Sequence, residues 1–341
     1  MGKTVTLGEI MLRLAPEGYC RFFQNDRFQA TFGGAEANVA VSLANFGEQA
    51  SFVTALPDHA IGQGAVDSLR AFGVDTSLIV RGGERVGIYY LEKGAAQRGS
   101  VCIYDRANSA FACAEPDSFD WDKIFEGADW FHFTGITPAL SENAFLICKE
   151  ACIVAKKKNI RISCDLNYRA KLWSKEEANK AMTELCSYID VCIANEEDAK
   201  NVFGIEAENT DVYAGKIDKA GYESVARQLH NKFDFSYVAI TLRTSYSAFV
   251  NDWAGMLYDG KSFYYSKDYH IDHIVDRVGG GDSFGAGLIY ALKKGLSPQD
   301  SVEFAVAASA LKHSVEGDFN RIGVAEVERL AAGDGSGRVQ R

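Results

Sequence analysis

Apolar positions along this chain follow two periods. Short, almost wholly apolar runs at 4–8, 50–55, 130–134, 161–165, 191–194 and 237–241 have strand length. Stretches near 141–158, 175–188, 196–203 and 221–231 separate the later runs with helical spacing. Two more helices come early. One opens at Gly33-Gly34, sets Ala37, Ala40, Val41 and Ala44 on one face and stops at Gly47; the other spans 60–72 and ends at Gly73. Strands that alternate with helices predict an α/β fold whose mostly parallel sheet is covered on both faces. Two stretches, 11–36 and 85–114, break this rhythm: they alternate and are rich in aromatic residues. They predict one small β-sheet laid over the core as a lid. The expected division is a core of 1–10, 37–84 and 115–330, a lid of 11–36 and 85–114, and a disordered Gly- and Ala-rich tail at 331–341.

Composition narrows the partners. A formal net charge of −10 argues against nucleic acid or an anionic membrane as the main ligand, yet leaves room for a local basic pocket. No run approaches the roughly 18 apolar residues of a membrane span. The eight cysteines show neither C-x-x-C nor zinc spacing, and Cys148 and Cys152 read as small buried residues. A cytoplasmic protein with reduced thiols is expected. The six histidines show no metal spacing.

One motif misleads. Gly255 to Ser262 matches the phosphate-loop pattern G-x-x-x-x-G-K-S letter for letter. That pattern works only between a strand and a helix. Here Phe263-Tyr264-Tyr265 follow, so Asp259-Gly260 predicts a type I′ hairpin turn instead. No G-x-G-x-x-G dinucleotide fingerprint occurs.

The segment Asp276-Arg-Val-Gly-Gly-Gly-Asp-Ser283, before a helical stretch, carries the clearest chemistry. Glycines 279–281 let backbone N–H groups converge, and a following helix adds the positive end of its dipole. Asp282 is either a simple helix cap or a base that takes a proton from an attacking hydroxyl while the turn steadies a phosphoryl group. Other candidates lie at strand ends, where ligands bind in parallel sheets. Asp165-Leu-Asn-Tyr-Arg169 offers an Arg fork for a carboxylate or phosphate, or is a plain surface loop. Asn195-Glu-Glu-Asp198 is an acidic first helical turn or an outer-shell Mg²⁺ site. Tyr89, Tyr104 and Arg106 fall in the lid.

Two signatures resemble the ribokinase-like (PfkB-type) carbohydrate kinases: Gly33-Gly-Ala-Glu-Ala-Asn38-Val-Ala40, and Asp276 through Gly287. Gly8-Glu9 with Arg13-Leu14, the Tyr104-x-Arg106 pair, Asp165 through Ser174 and Lys312 through Asn320 are similar to the 2-keto-3-deoxygluconate kinases within that family. The resemblance implies a three-layer ribokinase-like sandwich with a β-sheet lid. It also implies phosphorylation of a terminal hydroxyl of a sugar acid by ATP with Mg²⁺, a monovalent cation being a further candidate cofactor. It implies Asp282 as base and Gly279, Gly280 and Gly281 as anion hole. Gly34, Asn38, Tyr89, Tyr104, Arg106 and Arg169 would meet the sugar acid. Asn195, Thr241, Arg243, Gly279, Gly281, Ala308 and Lys312 would meet the nucleotide, and Glu197 or Asp198 the metal. Two departures stand out: Gly280 replaces the family's usual Ala, which should loosen the turn slightly, and Asp198 replaces its Glu. A fructokinase or other ribokinase-like sugar kinase is the alternative, and a silent sugar-binding regulator a more distant one. The lid's apolar residues and edges also suggest a homo-oligomer, a dimer through the lid.

Overall fold

A computed structural model describes residues 2–206 and 219–337. In chain order the elements are β1 (Lys3–Leu7), β2 (Met11–Ala15), β3 (Gln29–Gly33), α1 (Ala35–Asn45), β4 (Ala50–Val53), β5 (Ala55–Leu56), α2 (Ala60–Arg70), β6 (Val80–Arg81), β7 (Ile88–Glu92) and β8 (Val101–Asp105). They continue with α3 (Trp121–Ile124), β9 (Ala128–Thr134), α4 (Glu142–Lys157), β10 (Arg161–Asp165), α5 (Lys175–Cys186), β11 (Val191–Ala194), α6 (Glu196–Phe203) and α7 (Lys219–Phe233). The last are β12 (Tyr237–Ser245), β13 (Asn251–Tyr258), β14 (Phe263–Tyr265), β15 (Tyr269–Ile271), α8 (Gly280–Lys293), α9 (Pro298–Lys312) and α10 (Val324–Ala331).

The large sheet runs β14-β13-β12-β11-β10-β9-β1-β4, with β15 beside β13. From β12 to β4 neighbours are parallel, while β13 joins β12 antiparallel and carries β14 and β15 antiparallel on its other edge. Successive strand residues point to opposite faces, which makes two cores. Phe131, Phe133, Ile162, Cys164 and Val238 pack with Ile147, Met182 and Leu229 on one face. Phe52, Trp130, Ile193 and Ala239 pack with Leu43, Phe284 and Ala305 on the other. The result is a three-layer sandwich. Inside it, Trp130 donates to Ser163 Oγ at 2.8 Å, and burial holds His132 as a neutral imidazole with its pKa down to about 3.

The second sheet, β3-β2-β7-β8, lies over one end of the first. Its β2–β3 and β7–β8 pairs are antiparallel and β2–β7 is parallel. It is narrower than the two sequence stretches that feed it. Ala35 and Glu36 already belong to α1, and beyond β8 the chain dives so that Phe111 and Ala114 join the main core. The Walker-like run is β13 and β14 of an antiparallel hairpin. Its turn departs from type I′: the register leaves four residues, 259–262, in the loop, and only Gly260 has a positive φ, +83°. Cys148 and Cys152 are buried and free. Of the expected disordered tail, Ala331 closes α10, and 338–341 lie outside the described residues. Among the described residues no helix is long and apolar enough to cross a membrane.

Candidate active site

The lid sheet and the carboxyl ends of the parallel strands enclose a cleft of about 1290 Å³. One wall is the start of α8. Gly279 precedes the helix with φ +83°, and a Cβ there would sit 2.2 Å from the Asp318 carbonyl oxygen. Only glycine meets both demands. The first hydrogen bonds back into the turn are from Gly280 N–H to Arg277 O and from Ser283 N–H to Gly279 O. The N–H groups of Gly281 and Asp282 therefore have no intrahelical acceptor, and both residues line the cleft. Asp282 is the third residue of α8, not its cap; Gly279 is the cap and has no side chain to offer. The carboxylate is free for other work, and Asn38 Nδ2 donates to it at 2.6 Å. Burial pushes the Asp282 pKa up to about 7, with Glu36 and Asp318 adding to the rise and Asn38 and Arg169 opposing it.

Asn38 is set there by α1. Gly34, which precedes α1, is extended and approaches Glu9 so closely that a Cβ would lie 2.1 Å from the Glu9 carbonyl oxygen. A Cβ on Gly33 would strike the Asp318 carboxylate at 2.0 Å. The paired glycines of this signature thus serve close approach. Behind them Glu36 is buried and accepts from Thr134 N–H, Thr134 Oγ1 and Thr137 Oγ1 at 3.0, 2.7 and 2.6 Å.

The lid contributes Tyr104, Arg106 and the ring of Tyr89. Arg106 is already paired: its Nε donates to Glu9 Oε2 at 2.8 Å, and an Nη2 contact reinforces the pair. Opposite, the 165–169 loop is pinned from two strand ends. Asp165 Oδ1 accepts the Asn167 N–H at 3.1 Å, and Asp198 Oδ1 accepts the Tyr168 N–H at 2.9 Å. Asn167 takes a left-handed φ of +39° to make that bend, and Arg169 emerges exposed at the cleft edge. Burial, with Asp198 and Asp282 nearby, raises the Asp165 carboxyl well above its usual range. Asn195, Thr241, Arg243, Arg277 and His313 line the neighbouring half of the cleft.

The sequence profile of pfkB family carbohydrate kinases matches residues 1–321. The chain is 32% identical to a 2-dehydro-3-deoxygalactonokinase of Haloferax volcanii over 98% of each chain. The chain belongs to the pfkB family of carbohydrate kinases. It is 27% identical to a 2-dehydro-3-deoxygluconokinase of Thermoproteus tenax, covering 92% of this chain and 89% of that one. Among solved structures, the 2-dehydro-3-deoxygluconokinase of Thermotoga maritima is 50% identical, with a TM-score of 0.94 over 98% of this chain and 100% of the other.

This pfkB kinase brings most of its sequence-predicted site residues to one cleft, with three adjustments. Ala308 and Lys312, expected at the nucleotide, do not reach the cleft wall. Both are completely buried: Ala308 O accepts from Ser283 Oγ at 3.2 Å, and Lys312 lies beneath the glycine turn. The Tyr89 hydroxyl donates to the Asp318 carboxylate at 2.6 Å, so the ring is what the tyrosine presents to the cleft. Asp198 is buried with both oxygens taken, Oδ2 accepting the Asn195 N–H at 3.1 Å. It suits an outer-shell role, while Glu197 is exposed at the cleft edge. Gly280 also has a cause the sequence hid. A Cβ there would meet His313 Cε1 at 2.9 Å, so the glycine accommodates the imidazole and does not simply loosen the turn.

Sequence reasoning missed Asp318, Glu9, Arg277 and His313. Asp318 ties the lid to the core: besides Tyr89 it binds Arg13 Nη1 at 2.7 Å, while Arg13 Nη2 reaches Asp276 at 2.6 Å. Arg13 and both carboxylates are 2–3% exposed. The quoted stretches 13–14 and 312–320 held these residues, but no periodicity in either marks an ion pair spanning 305 positions.

Proposed function

We propose that this carbohydrate kinase transfers the γ-phosphoryl group of ATP to a terminal hydroxyl of 2-keto-3-deoxygluconate or a close sugar-acid relative. The observation that carries the reading is the Asn38–Asp282 pair at the unspent N–H groups of α8, in a cleft that also holds Arg106 and Arg169. Asp282 takes the hydroxyl proton as the oxygen bonds to phosphorus and the bond to the ADP oxygen breaks. The turn at 279–281 steadies the charge that gathers on the phosphoryl oxygens. The sugar acid lies between Gly34, Asn38, Tyr89, Tyr104, Arg106 and Arg169, and Arg169, at the cleft edge, offers its guanidinium fork to the carboxylate that a neutral sugar lacks. The names of the relatives from Haloferax volcanii, Thermoproteus tenax and Thermotoga maritima support this substrate class.

ATP lies along Asn195, Thr241, Arg243 and Arg277 toward the turn. Among the described residues no group of three His, Cys, Asp or Glu can hold a metal by itself. The residues fit Mg²⁺ held mainly by the nucleotide's phosphates and water, with Glu197 and Asp198 in its outer shell. Bound there, the ion would neutralise phosphate charge. The lid sheet closes over the acceptor to exclude water. The exposed Val101 and Ile103 of β8 offer a face and an edge to a second subunit.

ADP release measured with 2-keto-3-deoxygluconate, 2-keto-3-deoxygalactonate, fructose, ribose and adenosine tests the assignment. The sugar acids should show the highest kcat/KM, and preference for a neutral sugar sinks it. One observation favours a neutral-sugar kinase: Glu9 already balances the charge of Arg106. If Arg169→Ala and Arg106→Ala both leave the acceptor KM unchanged, that second reading prevails.

A further inference from the structure

Lys312 is a fully buried cation for which the phosphoryl-transfer scheme has no use. It ends α9, and its stem passes under the glycine turn: a Cβ on Gly279 would lie 3.2 Å from Lys312 Cε. The ammonium donates to Val315 O at 3.1 Å and Gly317 O at 2.8 Å. These carbonyls belong to the loop that is the floor of the turn. Gly317 N–H reaches the Asp276 carboxylate at 3.1 Å, and the same carboxylate takes the Val278 N–H at 3.1 Å. Asp318 continues that loop against Gly279.

Charge gives the arrangement its meaning. Asp276 and Asp318 are buried carboxylates, and Arg13 is a single cation between them. Lys312 is the second cation, and with it the cluster is neutral. Without it, one net negative charge would stand in a low-dielectric interior directly below a turn that must accept phosphoryl oxygens. Burial lowers the Lys312 pKa, and the charges of Asp276 and Asp318 oppose that shift.

We infer that Lys312 is a positioning residue for phosphoryl transfer: its ammonium closes the 315–318 loop beneath Gly279 and neutralises the acids under the anion turn. The inference rests on the kinase reading above and extends it, because it gives the buried ammonium a part in holding the anion turn.

The test compares full-length wild type with Lys312→Met, using ATP and the best acceptor. The variant should lose about tenfold or more in kcat while the acceptor KM moves less than about threefold, since the lost interaction acts in the transition state. Ammonium or methylammonium chloride should restore part of that kcat. Wild-type turnover should be unchanged when tetramethylammonium replaces potassium, a measurement that stands even if the variant does not fold. A variant within twofold of wild type overturns the inference, as does equal loss of kcat and binding without ammonium rescue. So does a wild type that slows about tenfold without potassium. Wild type that turns over no acceptor refutes the kinase reading instead.

Discussion

Asn38 should set the pH at which this kinase switches on. Asp282 must be ionised to take a proton, and its carboxyl titrates at about 7 in the folded protein. The acid limb of kcat/KM, which reports groups in the free enzyme, is expected near that pH. Asn38 Nδ2, 2.6 Å from the carboxylate, is the hydrogen bond that favours the charged form. A hydrogen bond to a charged group contributes about 1.5–3 kcal/mol, and one pKa unit is about 1.4 kcal/mol. Asn38→Leu, which removes the donor at similar volume, should move the limb up by about one to two units. At one unit the ionised fraction at pH 7 falls from about half to about a tenth, so kcat/KM there drops roughly fivefold and recovers by about pH 9. The assay is initial rate against pH for wild type, Asn38→Leu and Asp282→Asn. A limb that stays in place when Asn38 is replaced would falsify the pairing, and near-normal turnover of Asp282→Asn removes Asp282 as base.

The same shift has a consequence for stability. A carboxyl whose folded pKa lies above its unfolded value stabilises the fold at low pH, and that contribution disappears as pH rises through the folded pKa. For Asp282 the window runs from the ordinary 3.8 to about 7. Above it, wild type carries a half-buried charge that Asp282→Asn avoids, at a cost of about 4 kcal/mol at most before water in the cleft screens it. The variant should therefore melt higher than wild type at pH 8 and match it near pH 4, losing catalysis while gaining stability.

Two further substitutions probe the frame of the site. Gly280→Ala should lower both stability and kcat by pressing on His313, and Gly280→Ala with His313→Ala should recover much of the loss; a double-mutant cycle with no coupling refutes the contact. Arg13→Met leaves Asp276 and Asp318 buried without their shared cation and should cost about 3–5 kcal/mol in urea unfolding.

What the chain announces and what it hides have different physical causes. The β10, β11 and α6 boundaries are legible because a buried strand must be continuously apolar and a helix end needs a cap, which the structure shows Asn195 supplying to α6. The glycine turn is legible for the same local reason: φ +83° at Gly279 demands the residue that stands there. The Asp198 carboxylate illustrates the limit. In sequence it is one acid among three in an acidic first turn, and only the fold brings the Tyr168 N–H to it across two strands. Gly280 is the sharper case. Compared position by position with a motif, it looks like a loosened turn; set beside His313, thirty-three residues away, it is one half of a fitted pair. Lys312 reverses between the two views as well, from an expected nucleotide contact to a buried counter-charge. Asp198 and Gly280 are each chosen by a partner thirty or more positions away, so their roles follow from contacts that local pattern does not encode. A substitution at either of them should therefore be judged against that partner and not against the motif.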